Sequence, residues 1–103
     1  MKDSIIINMA YAQYDLIDGT PNVERHHCLM GSDRAKADED GLWVPLTKEH
    51  HTAGKVSAHR CREVRVLLEM LAQVSYERDR CAEGATKEEA REMFRKRYGR
   101  SFL

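Results

Sequence analysis

Residues 26–51 read HHCLMGSDRAKADEDGLWVPLTKEHH, a polar stretch and then an alternating apolar one, with a histidine pair at each end. The alternation decides the fold. Leu42, Val44 and Leu46 recur at every second position around Trp43 and Pro45, the period of a strand with one buried face. Pro45 cannot donate a ladder hydrogen bond, so this strand is short or lies at an edge. Asn22 to Cys28 supplies a short strand that delivers His26 and His27, and the polar run Gly31–Gly41 is expected as the loop between the two. Thr47 is placed to cap a short helix holding Lys48 to His51.

Working outward, Ile5 to Ile7 is apolar and β-branched and reads as part of an N-terminal strand. Asp18, Gly19, Thr20 and Pro21 mark a turn. Beyond Gly54, Ser57 is a candidate cap for a helix running to about Arg80, with Val64, Leu67, Leu68, Leu71 and Val74 as its apolar stripe. Gly84 breaks the chain. Thr86 followed by Glu89 fits a capping box for a last helix that buries Ala90, Met93 and Phe94 and leaves Arg91, Arg95 and Lys96 outside. The expected fold class is α+β: one domain over residues 1–103, with its core in 22–59 and a helical part in 60–103.

The chain has 103 residues, 42% hydrophobic and 33% charged, a globular balance. No apolar run approaches the roughly 20 residues that span a bilayer, so no membrane partner is expected. The N-terminus has no basic segment followed by an apolar stretch and a small-residue cleavage site, which leads us to expect a cytosolic protein. The three cysteines, Cys28, Cys61 and Cys81, include no C-x-x-C. That argues for free thiols in a reducing compartment rather than a disulfide framework or zinc ribbon. Net charge is zero, yet residues 1–59 carry six Lys/Arg against nine Asp/Glu and residues 60–103 carry eleven against eight. The ending FRKRYGRSFL has four basic residues and no acidic one. Arg95, Lys96 and Arg97 there are candidates for phosphate contact, although a solvated helix face has the same composition.

All five histidines lie between His26 and His59. Imidazole is the commonest metal ligand and also a base near neutral pH. Neighbours on a strand point to opposite faces, so His26 and His27 cannot both reach one ion without a bend. The pair therefore divides its labour, one residue on the ion and the other on a water at the substrate. On a helix His50 and His51 are about 100° apart, which again favours one as ligand. The short connection after His51 can return His59 beside it. His50 reads as a supporting or exposed side chain, Trp43 as core between the strands, and Asp38–Asp40 as a solvated loop.

On these residues, His26-His27, Gly31, Gly41-Leu42, Val44, Leu46, Glu49-His50-His51 and His59, the chain resembles HNH endonucleases, the ββα-metal or His-Me finger group, and especially the small phage-encoded type. Tyr98-Gly99-Arg100 resembles the aromatic-Gly-Arg ending of that family. The resemblance covers Glu24 to His59 well and the two helices loosely. It implies a ββα-metal finger, a short β-hairpin plus a short helix, packed with two C-terminal helices and an N-terminal strand. It implies DNA as partner and a divalent ion, Mg, Mn, Ni or Zn, as cofactor. By position, His26, His51 and His59 would be metal ligands and His27 the general base, while Arg34 and Lys36 could contact the phosphate backbone. Two departures stand out. Thr47 and His50 occupy places where many relatives carry structural-zinc cysteines, and the middle Asn is missing, with Asp38, Asp40 and Gly41 nearby. A backbone carbonyl or Asp40 is left to hold the base.

The resemblance further implies a phage or prophage protein working in the cytoplasm of a bacterial host, in recombination or DNA processing. The alternative is a finger that has lost cleavage and serves as a nucleic-acid-binding or protein-interaction module. The apolar N-terminal strand and small core suggest a homodimer.

Overall fold

The computed structural model describes residues 2–103. It is an α+β fold with two antiparallel strands and several helices. Strand β1 (Val23–His27) pairs with β2 (Trp43–Thr47) in the register Val23↔Thr47, Arg25↔Pro45, His27↔Trp43, so His26 lies opposite Val44. The strand is where the alternation places it, but both of its faces are covered: Trp43 and Pro45 are as buried as Leu42, Val44 and Leu46.

The expected loop between the strands is instead a turn of 3-10 helix (Gly31–Asp33) running into helix α1 (Arg34–Asp40). The physical reason is that α1 buries only Ala37. A helix this short, touching the core through one small side chain, has no apolar stripe to betray it. Gly41 ends it with φ +72, where the chain turns left-handed. A Cβ there would collide with the Asp3 carbonyl oxygen, so only glycine lets the N-terminal segment pass this close.

That N-terminal segment is not the expected strand. Ile5–Ile7 forms a series of bends, and Ile5 N donates to the Gly41 carbonyl at 2.9 Å. The segment is pinned by single bonds instead of a ladder. The Trp43 indole donates to the Lys2 carbonyl at 2.9 Å, and the Ser4 hydroxyl to the Trp43 carbonyl at 2.7 Å. Further on, the buried Asp15 carboxylate organises the turn ahead of β1. One oxygen accepts from Ile17 N and Asp18 N, and the other from Thr47 N, the Thr47 hydroxyl and His50 Nδ1. Burial alone would raise this carboxyl's pKa. The hydrogen bonds from Thr47, His50 and Ile17 win and hold it down at about 2.

After β2 comes a π-helical turn, Glu49–Ala53, closed by Gly54 N on the Glu49 carbonyl at 2.8 Å. Helix α2 (Arg62–Ala82) begins four residues later than a Ser57 cap would place it, from Cys61, because residues 54–61 are spent returning the chain along that turn. Its buried residues are Leu68, Ala72, Gln73, Ser75 and Tyr76. The expected stripe is therefore corrected: Leu67 is 63% and Val74 50% exposed. Helix α3 (Lys87–Tyr98) starts at the expected Thr86–Glu89 capping box. It buries Ala90, Phe94 and Tyr98 and leaves Met93 at the surface. The Tyr76, Phe94 and Tyr98 rings pack 4.7–6.2 Å apart. Arg97 and the Tyr98 hydroxyl close on Asp40, and Arg97 also pairs with Glu39, which ties α3 to the end of α1.

Asp15→Asn removes the acceptor charge that five donors share. We expect it to cost about 1.5–3 kcal/mol at neutral pH, read as a shift of the urea midpoint. The native carboxyl lies below its unfolded value of 3.8, so its contribution is present above about pH 4 and is lost as pH falls towards 2. The asparagine variant should lack that part of the acid dependence.

Candidate metal centre and its flanking histidine

Strand β1 presents Glu24 and His26 on one face and Arg25 and His27 on the other. The Glu24–His26 face looks onto the π-helical turn. There Ala58 N donates to the His50 carbonyl at 2.7 Å and His59 N to the His51 carbonyl at 3.1 Å. These two backbone bonds bring His59 back beside His51 ahead of α2, so three imidazoles meet. Ring centroids are 5.2 Å apart for His26–His51, 5.4 Å for His26–His59 and 4.8 Å for His51–His59. One ligand atom from each lies within 4.8 Å of the others.

This group fits a metal ion on an observation independent of sequence. His26 is 1% exposed, and neither ring nitrogen has a hydrogen-bond partner. An unpaired buried polar group costs about 1–3 kcal/mol, and two nitrogens on one ring call for an occupant. Burial, then the charges of His51, His59 and His27, push the His26 imidazole down to about 3. It is therefore neutral near pH 7, the form that ligates. Burial likewise lowers His59, with help from His51 and Arg65. His51 Nδ1 meets Glu24 Oε1 at 2.9 Å. That carboxylate fixes the proton on Nδ1 and leaves Nε2 for the ion, as carboxylate–histidine–metal arrangements do. Three imidazoles suit a borderline ion such as Zn or Ni better than Mg, which prefers oxygen donors.

His27 is placed differently. Its Nε2 sits 3.0 Å from Asp38 Oδ1, and its Nδ1 accepts from Arg34 Nε at 3.4 Å. The hydrogen bond from His27 holds the exposed Asp38 carboxyl below its ordinary range. Despite facing the other way, His27 lines the same cavity as His26, His51, His59, Arg25 and Arg34, about 380 Å³ in volume. The strand separates the two side chains and the open cavity mouth rejoins them.

The remaining sequence candidates scatter. Arg34 is in the cavity. The Lys36 ammonium instead donates to the Arg97 carbonyl at 3.0 Å, and Arg97 is held by Glu39 and Asp40. Arg95 and Lys96 are exposed, and none of Arg95, Lys96 and Arg97 lines the cavity. Asp40, considered as a holder for the base, is committed to Arg97 and Tyr98; Asp38 takes that place. Asp38, Glu24 and Asp15 were not recognised from sequence. A helix over 34–40 would have exposed the first, since Arg34 and Asp38 share a face at i, i+4. Asp15, Asp18 and His50 also bring donors within 4.8 Å of one another, but the oxygens of Asp15 are already taken by the hydrogen bonds above, so that group is structural.

Comparison of the chain with family models, curated proteins and solved structures finds no match in any of the three. Among the described residues, no helix is long and apolar enough to cross a membrane.

Equilibrium dialysis should find one Zn²⁺ or Ni²⁺ per chain, with His26→Ala abolishing tight binding. Glu24→Gln should weaken it about 10–100-fold. If the affinity of the His26 variant is unchanged, the ion binds elsewhere.

Proposed function

We propose that the protein is a metal-dependent endonuclease of HNH type, built as a ββα-metal finger and hydrolysing phosphodiester bonds in DNA. The observation that carries this reading is the division of one histidine pair. His26 joins His51 and His59 in a three-imidazole group, while His27, held by a carboxylate, opens on the same cavity. A structural metal site would have no use for the second feature, because it closes its fourth position with another ligand and keeps no oriented base beside it.

In this reading Asp38 accepts the Nε2 proton of His27 and leaves Nδ1 as the basic nitrogen. Nδ1 takes a proton from water, the water oxygen attacks phosphorus, and the bond from phosphorus to the 3′ oxygen breaks; that oxygen regains a proton from solvent. A bound divalent ion would supply Lewis acidity for the charge that grows on the phosphate and leaving oxygens. Arg34, now on Nδ1 at 3.4 Å, shifts onto a phosphate oxygen when substrate enters, which frees the base. The pairing of Asp38 with His27 does the work that the missing middle Asn does in relatives. Arg25 stacks on the Trp43 ring at 4.1 Å and flanks the entry with a second positive charge.

With metal-loaded protein and plasmid DNA, His27→Ala should lower the cleavage rate about 10²–10⁴-fold while metal stoichiometry stays at wild type. Asp38→Asn should reduce the rate with little change in metal affinity. Wild-type protein that binds the ion but cuts neither duplex nor single strands would overturn the catalytic reading and leave a binding module.

A further inference from the structure

We propose that two copies of this chain associate through the outer face of α2, antiparallel, about a two-fold axis between Met70 and Leu71. The inner face of α2 carries its buried residues, Leu68, Ala72, Gln73, Ser75 and Tyr76. At 100° per residue, the opposite arc carries Leu67, Met70, Leu71 and Val74. Leu67 is 63% exposed and Val74 50%, with Met70 and Leu71 half-buried; Leu71, at the edge of the arc, also packs against the core. No charged residue falls within this arc until it ends, at Glu63 on one side and Arg78 on the other.

Those two charges select the occupant. Each residue of the arc has a counterpart at equal distance from the midpoint: Leu67 with Val74, Met70 with Leu71, Glu63 with Arg78. Antiparallel apposition of two identical helices brings each residue against its counterpart, so apolar meets apolar and each end closes with an opposite-sign pair. That self-complementarity is what a two-fold interface requires. A parallel pair would set Glu63 on Glu63 and Arg78 on Arg78. The Arg78 side chain is 56% exposed even with its bonds to Ile5 and Asp79, and Glu63 is exposed. His59 precedes α2, so the axis puts the two imidazole groups at opposite ends of the pair and covers neither. Only four apolar side chains per copy meet across the axis, a short strip, and weak association is expected.

Sedimentation equilibrium of the full chain, from about 1 µM to about 300 µM, should follow a monomer–dimer curve. Leu67→Glu with Val74→Glu should weaken association at least tenfold, in a protein whose circular dichroism is unchanged, since both side chains are already at the surface. Glu63→Arg alone should also weaken it, and Glu63→Arg with Arg78→Glu should restore it, because the charges then trade places across the axis. A monomer at every concentration overturns the proposal, as does association that survives the double glutamate variant. A charge swap that does not restore pairing rules out the antiparallel register.

Discussion

The fold of this protein turns on the register that sets His26 opposite Val44 in a two-stranded sheet. Strand alternation sends His26 to the buried face and His27 to the face lined by α1, and a shift of one residue would exchange them. The surrounding structure fixes that register from both sides. Leu42, Val44 and Leu46 must face the core. Thr47, the last residue of β2, is held by Asp15 through both its backbone N–H and its hydroxyl. The same carboxylate holds His50, so the start of the π-helical turn and the end of β2 share one anchor. The position of His51, the neighbour of His50, follows from that anchor.

The parts of this arrangement that could be read from sequence were those that periodicity carries. Period-two alternation at Leu42–Leu46 gave β2, and the Thr86–Glu89 spacing gave the start of α3. The clustering of five histidines in the middle of the chain pointed to the three-imidazole group. What escaped had little hydropathy signal. Helix α1 buries one alanine. Helix α2 buries Gln73 and Ser75, which are inside because they are satisfied there: Gln73 by Glu77, Ser101 and Phe102 N, and Ser75 by the Leu71 carbonyl. A reading that places only apolar residues inside turns that helix by part of a turn and hides the exposed Leu67 and Val74. Asp15 carries no signal of its own in the sequence, because its role rests on contacts with residues 47 and 50.

The basic C-terminal end teaches a related lesson about charge. By composition FRKRYGRSFL is a phosphate-binding tail, yet Arg97 is spent on Glu39 and Asp40, and Lys36 caps the end of α3 through the Arg97 carbonyl. Opposite charges placed far apart in sequence neutralise each other where α1 meets α3. Glu39 and Asp40 of the acidic run and Arg97 of the basic run are two halves of one structural joint, while Arg95 and Lys96 stay exposed. The positive charge at the cavity comes instead from Arg25 and Arg34, single residues that no charge run announces.

Two adjacent, identical side chains thus come to sit in different surroundings. Under the proposed function a metal ligand has to stay unprotonated. His26 is kept so by burial and by the company of other imidazoles, with no carboxylate on either nitrogen. His27 has the Asp38 carboxylate at Nε2 and the Arg34 guanidinium at Nδ1, with the cavity beside it. Different surroundings for these neighbouring histidines are what the proposed division of roles rests on. Here the divider is the strand itself, since one step along β1 exchanges the face shared with Glu24, His51 and His59 for the one beside Asp38 and Arg34.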